Sequence, residues 1–272
     1  MFSNARSYVV KFEKIMVPMA KGQQSRLPLE IAFYLAGKYS GEITALTVKE
    51  EMKELTWSDK VRIITNAYED GKERNIKVVP RVRTARNIKT GIVDELKEKN
   101  YDLVLMGTHR RSGLSGSTFG TIGDYVIKNS TTPVVVFSIK RNELPYRNIL
   151  LPVSETINNR MAVSFALHLV KSSNASLTLL DLRKFDEKKT HGFQHLFDNL
   201  GEIHTRFGEG ITVVRGGDGG TITNQINGAI KEYSADLLVL GLRFAQDRKI
   251  RVNSTLKALI KESPIDTAVL RK

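Results

Sequence analysis

Short, unbroken hydrophobic runs recur along the chain and alternate with longer amphipathic stretches. In the first half the runs lie near residues 14–18, 42–48, 77–82, 103–107 and 133–137, and helical patterns fall between them near 28–39, 52–74, 88–99 and 120–129. In GIVDELKEK (91–99), for example, Ile92, Val93 and Leu96 share one stripe at a period of 3.6. VVVF and LVLM are continuous rather than alternating, as strands are when helices cover both faces of their sheet. Strand–helix alternation of this kind predicts a doubly wound, mostly parallel sheet. The second half follows the same order, with helical patterns near 157–173, 191–206, 220–233 and 254–262.

The two halves are versions of one pattern. KIMVPMA (14–20) matches NILLPVS (148–154), and YDLVLMG (101–107) matches ADLLVLG (235–241). An interval of 134 residues separates Pro18 from Pro152 and Gly107 from Gly241 alike. IGDYVIKNSTTPVVVF (122–137) and TLKALIKESPIDTAVL (255–270) make a third pair. So long a period marks a duplicated domain rather than a solenoid repeat. The polar connector SIKRNELPYR (138–147) places the boundary, giving domains 1–143 and 144–272. The predicted architecture is α/β: two tandem doubly wound domains, each a five-stranded, mostly parallel sheet flanked by helices.

Composition narrows the function classes. The chain has 272 residues and no cysteine, which removes thiol catalysis, thiolate metal sites and disulfide frameworks and predicts a reducing, cytoplasmic setting. No apolar run approaches the roughly 20 residues of a membrane span, so no membrane insertion is expected. The opening MFSNARSYVVKFEK lacks the apolar centre of a secretory leader. Net charge is +13, with 24 basic against 16 acidic residues up to Glu143 and 18 against 13 after it. This spread-out positive field attracts polyanions in general. Nucleic acid gains nothing beyond charge, since basic and aromatic residues are not interleaved.

In a doubly wound sheet, ligands bind outside the carboxyl ends of strands where the strand order reverses. The feature at that place is the loop after the fourth run, Gly107-Thr-His-Arg-Arg-Ser-Gly-Leu-Ser-Gly-Ser-Thr-Phe-Gly120-Thr121. Its small residues leave backbone N–H groups uncovered, and Gly120-Thr121 begins the next helix, whose N-terminus favours phosphate. Thr121 adds a hydroxyl donor, and Arg110 and Arg111 add charge. The competing reading is a surface loop whose glycines merely permit turns.

The spacing Gly107-x-x-Arg110-(nine residues)-Gly120-Thr121, lying between LVLM and VVVF, resembles the universal stress protein family, whose nucleotide-binding members carry G-x-x-G-(nine residues)-G-[S/T] there. KIMVP, EITALTV and STTPVVVF match the family's pattern as well, and the resemblance runs twice over nearly the whole chain. It implies a tandem universal stress protein. It further implies that ATP or another adenine nucleotide binds in the first half. Adenine would lie near Pro18, Ala20 and Val48, phosphates on Gly107, His109, Arg110, Gly120, Thr121 and Ile122, with Met106 a further residue of the binding site. Any magnesium would be held largely by the phosphates. Binding without useful turnover is expected, because no general base or paired carboxylate accompanies the loop.

Departures from the family pattern bear on that expectation. Arg110 replaces the motif's second glycine, and Ala20 and Ser154 stand where the family's ATP binders place an aspartate. Of the second half's motif only Gly241 and Thr255 remain, although Arg243, Arg248, Lys249 and Arg251 keep its loop basic. The first half is therefore the expected binding half.

Other candidates are weaker. Gly216-Gly-Asp-Gly-Gly220 reads as a tight strand-to-helix turn with Thr221 or Asp218 near the cap, since Ile222 occupies the third fingerprint position. Arg81 and Arg83 share one side of a strand end, facing either an anion or, as the preferred reading, a solvated rim. His191 and His195 have ligand spacing but no H-E-x-x-H context, and with His204 they read as a polar helix face. His168 reads as a packing residue and Trp57 as core or interface. Ser115 fails the nucleophile-elbow pattern, and no G-x-x-x-x-G-K-[ST] loop is present.

Two functions follow. One is a cytoplasmic stress or signalling protein that responds to an adenine nucleotide. The other is a nucleotide-free interaction module, its halves forming an internal pseudo-dimer through VVVF and TAVL, with a further homodimer or a protein partner. The family's tandem domains also occur as cytosolic tails of membrane transporters, which RTARNIKTGIVDEL and the missing strand-one aspartates resemble.

Overall fold

The structure, a computed structural model, describes residues 10, 12–20, 22–51, 57–109, 118–154, 157–183, 194–217, 219–242, 252 and 254–271. They fall mainly into two compact units, Lys11–Asn142 and Glu143–Arg271.

The first unit runs β1 (Lys14–Pro18), α1 (Gln23–Tyr39), β2 (Glu42–Glu50), α2 (Trp57–Glu73), β3 (Lys77–Ala85), α3 (Ile88–Glu98), β4 (Leu103–His109), α4 (Gly120–Asn129) and β5 (Val134–Ile139). Its strands lie in the order β3-β2-β1-β4-β5, each neighbouring pair parallel. The second unit runs β6 (Asn148–Val153), α5 (Arg160–Ser173), β7 (Ser176–Asp181), α6 (Gln194–Asp198), α7 (Leu200–Phe207), β8 (Ile211–Arg215), α8 (Ile222–Glu232), β9 (Leu237–Gly241), α9 (Ser254–Glu262) and β10 (Asp266–Arg271). Its order, β8-β7-β6-β9-β10, repeats the first. The repeat extends to single hydrogen bonds: Asp102 accepts from the Glu13 and Lys14 amides, and Asp236, 134 residues on, accepts from those of Arg147 and Asn148.

Both cores are built from the unbroken runs. Ile15, Met16 and Val17 in β1, Val134 to Phe137 in β5 and Leu237 to Leu240 in β9 are fully buried. The α3 stripe faces inward as its spacing predicts, with Ile92, Val93 and Leu96 buried. At the outer edge β3 carries Pro80, whose neighbours in register lie on β2. Ala85 accepts from the Glu51 amide, so the alternate carbonyls of β3 face β2 and Pro80 faces outward.

Two helices differ from expectation. The single helix expected over 191–206 is two short ones, α6 and α7, parted at Asn199, a poor helix former. α1 begins at Gln23 rather than near 28, and Pro28 lies inside it. A proline has no N–H, so the Gln24 carbonyl one turn earlier has no helical donor. That carbonyl is pressed instead against β4, as described below.

The switch point lies between β2 and β4, the two neighbours of β1. β1 pairs with β2 through Pro18↔Leu46, but with β4 only at Ile15↔Leu103 and Met16↔Val104. Continued one step, the ladder would bring the amide of residue 18 to the Leu105 carbonyl, and proline has no amide hydrogen to offer. Pro152 interrupts β6 and β9 in the same way, after Leu150↔Leu238.

Candidate nucleotide site

The end of β1 is open. Pro18 and Met19 are half-buried and Ala20 is exposed. The Met19 amide donates to Leu46 (2.7 Å), and that of Ala20 to the Ser25 hydroxyl (2.6 Å), which fixes the turn into α1. Met106 ends the buried part of β4, Gly107 after it is half-buried, and the His109 backbone pairs with Ile139. A Cβ on Gly107 would lie 2.5 Å from the Gln24 carbonyl oxygen. This glycine is therefore required by the first turn of α1, whatever binds above it. Val48 is buried with its methyl groups against Gly91, so its side chain packs under α3.

α4 supplies the other wall. Gly120 opens it at φ +76°, with nothing within 4 Å of its would-be Cβ, and Thr121 and Ile122 are exposed. The amides of residues 120–122 fall in the first helical turn, which has no acceptors of its own. Those of Thr118 and Phe119 are taken by the Asp124 carboxylate, at 3.1 and 2.9 Å. The strand-end site thus unites Pro18, Ala20, Met106, Gly107, Gly120, Thr121 and Ile122 by topology. The His109 side chain, Arg110, Arg111 and the loop through Ser117 lie outside the described residues.

The second unit treats the same place differently. Asn158, fully buried at φ +81°, donates its amide to the carbonyls of Pro152 (2.6 Å) and Val239 (3.1 Å). It supplies the donor that proline lacks and ties β6 to β9 where the strands part. Asn159 caps α5 through the Ala162 amide and bonds Leu242 and Leu270. Ser154, buried, accepts from Ile157. At the position matching Asn158 the first unit has Gln24, whose amide lies beside Gly22 and which makes no such bridge among the described residues. Gly241 has the same cause as Gly107: its Cβ would lie 2.6 Å from the Asn159 backbone nitrogen. Thr255 is half-buried near the start of α9, while Arg243, Phe244, Arg248, Lys249 and Arg251 are outside the described residues.

Arg81 and Arg83 do lie on one side of β3, Arg81 partly exposed at the rim and Arg83 largely covered. Both meet Glu95 of α3, a fully buried carboxylate, at 2.8 and 3.0 Å, and Arg83 also pairs with Glu98. Tyr101 donates to Glu95 at 3.1 Å, and burial followed by this carboxylate pushes its hydroxyl up to about 12. Neither Glu95, Asp124 nor Asn158 stood out in the sequence. The Asn158-Asn159 pair, placed just before an apolar helix, was a usable capping signal.

Gly216, Thr221, His168 and His204 have structural surroundings. Gly216 accommodates Leu182 and Gln225, whose side chains would lie 2.5 and 2.6 Å from a Cβ, and Thr221 caps α8 through the Asn224 amide. His168 is buried edge-on to Phe207, and His204 contacts the Ile211 carbonyl at 3.0 Å. His191 and the side chains of His195 and Trp57 lie outside the described residues. Among the described residues no cluster of His, Asp and Glu could hold a metal ion, and no helix is long and apolar enough to cross a membrane.

A parallel sheet reversing beside β1, with a glycine-started helix at the reversal, defines an α/β protein of the kind that seats ligands at strand ends. Residues 11–138, nearly all of the first unit, match the universal stress protein family. A universal stress protein from Archaeoglobus fulgidus is similar over 95% of this chain and 98% of its own, at a TM-score of 0.61 and 20% identity. The cytoplasmic domain of a prokaryotic cation chloride cotransporter is similar over 94% of each chain, at a TM-score of 0.55 and 11% identity. These likenesses establish the fold of both units. The Na(+)/H(+) antiporter NhaS5 of Synechocystis sp. is 23% identical over 175 residues, which is 61% of this chain and 25% of the antiporter. The chain thus spans about a quarter of that relative's length.

Proposed function

We propose that this protein is a non-catalytic stress-response or signalling module of the cytoplasm that binds an adenine nucleotide, ATP or a close relative, in its first unit. Adenine lies by Pro18 and Ala20. Phosphates lie on the first turn of α4, with His109 and Arg110 contributing from the loop and any magnesium held by the phosphates. One observation carries the reading. The turn after β1 is open at Ala20 and Gly22, whereas its counterpart in the second unit is buried from Pro152 to Ser154 and closed by Asn158. One nucleotide per chain is therefore expected.

The test is to purify the protein without added nucleotide, denature it and identify released small molecules by mass spectrometry, then titrate ATP, ADP, AMP and cyclic AMP by calorimetry. Gly120→Arg serves as the obstructed control, since it crowds the seat and strains a positive-φ position. One nucleotide per chain, lost in the variant, supports the reading. Two would refute the closure of the second unit, and none in either assay would refute the site.

A second reading draws on the two transporter likenesses and on Ala20 and Arg110. In it the chain is a nucleotide-free module that regulates an ion transporter. Co-purification with a transporter, unchanged by nucleotide, would favour it.

A further inference from the structure

We infer that Ser25 is a positioning residue of the adenine-nucleotide site. Its hydroxyl takes the Ala20 amide, leaves the end of β1 presenting hydrogen-bond acceptors, and so favours a 6-amino purine over a 6-oxo purine; this rests on the proposed placing of the base by Pro18 and Ala20. Every N–H from residue 18 to residue 20 is absent or occupied. Pro18 has none. The Met19 amide donates to the Leu46 carbonyl at 2.7 Å, and that of Ala20 to the Ser25 hydroxyl at 2.6 Å. The carbonyls of Pro18 and Ala20, by contrast, receive no recorded donor among the described residues.

Ser25, the third residue of α1, is buried, and its own amide donates back to the Gly22 carbonyl at 3.2 Å. These two bonds tie the turn from Ala20 to Ser25, within which Gly22 holds φ +97°, a conformation that favours glycine. Ala20 is therefore exposed at the mouth with its amide turned inward onto a buried hydroxyl. The second unit is built otherwise. Asn159, 134 residues after Ser25, caps α5 and bonds Leu242 and Leu270, and the Ser154 amide donates to the Ile157 carbonyl. In the first unit, a purine with an amine at position 6 offers N–H groups to the free carbonyls. A 6-oxo purine offers an oxygen there, which meets acceptors and leaves the contact unmade. Without the Ser25 hydroxyl, the Ala20 N–H is released and gives that oxygen a donor.

The experiment titrates ATP and inosine triphosphate, which differ only at position 6 of the purine and its adjoining proton, into the intact protein, Ser25→Ala and Ser25→Thr. Circular dichroism first confirms that each variant is folded. Wild type is expected to bind ATP about tenfold more tightly than inosine triphosphate, the scale of one hydrogen bond made or lost. Ser25→Ala should bring that ratio below about threefold, and Ser25→Thr, which keeps the hydroxyl, should return it to within about twofold of wild type. A general loosening of the turn weakens both nucleotides alike and leaves the ratio where it was. An unchanged ratio in folded Ser25→Ala therefore overturns the inference while the site stands. Equal binding of the two nucleotides by wild type overturns it without any variant. If wild type binds neither, the inference and the site fall together.

Discussion

Replacing Gly241 by alanine puts a methyl group where the start of α5 already stands. The new Cβ would lie 2.6 Å from both the backbone nitrogen and the side-chain nitrogen of Asn159. Asn159 cannot swing aside cheaply, because its amide bonds Leu242 at 2.9 Å and Leu270 at 3.3 Å while its carbonyl caps α5 at 2.9 Å. Relief requires α5 to shift, adding an overpacking cost of about 1–3 kcal/mol to a weakened cap of about 1 kcal/mol. We therefore expect a loss of about 2–4 kcal/mol, read as a lower urea midpoint at unchanged slope. Gly107→Ala should behave alike, its obstacle being the Gln24 carbonyl at 2.5 Å. Gly228→Ala is the internal control. It lies on the exposed side of α8 with nothing within 4 Å of its Cβ, so it should stabilise by about 0.5–1 kcal/mol. A cost below about 0.5 kcal/mol at Gly241, or costs at Gly107 and Gly241 that vanish without nucleotide, would refute packing as the reason for these glycines.

Three further outcomes are expected. Asn158→Ala leaves the Pro152 and Val239 carbonyls buried without their side-chain donor and should cost about 2–3 kcal/mol by urea denaturation, whereas Gln24→Ala, which breaks no such bridge, should cost less than about 1 kcal/mol. Glu95→Gln removes the charge shared by Arg81 and Arg83 and should cost about 2–4 kcal/mol, reduced by the partial exposure of Arg81. The folded protein holds the Tyr101 proton up to about pH 12 against an ordinary 10.0, so the stability this group contributes is complete below pH 10 and is lost as pH rises through 12. Tyr101→Phe should accordingly flatten the fall in stability between those values, and an unchanged slope would sink the assignment.

The fold was legible because its signals are repetitive and local. Unbroken Val/Leu runs, a 134-residue interval and the Pro18 and Pro152 strand ends all specify parallel strands and their count. The boundaries that misled have physical reasons. The helical pattern is apparent only from about residue 28, but the preceding turn, packed on Gly107, extends α1 back to Gln23. The same-side alternation of Arg81 and Arg83 is visible in sequence, while Glu95, twelve residues from Arg83, is brought to them only by the β3–α3 connection. The helix starts that press on Gly107 and Gly241 lie far from them in sequence, so the packing demand on these glycines is not visible there. The closure by Asn158 depends on Pro152 and Val239 as well, and three residues spread over 88 positions leave no contiguous motif.

The outward-facing proline of β3 bears on how the protein behaves when it partly unravels. β3 and β8 each pair with one strand among the described residues, so each presents a free sheet margin. On β3 a foreign strand trying to add itself meets a missing donor at Pro80, which interrupts the growing ladder. β8, ITVVR, has no such interruption and leaves Thr212 and Val213 exposed. Under mild heating, self-association should therefore begin at the margin of the second unit, and a proline or lysine at Val213 should slow it where the same change at Val82 does not.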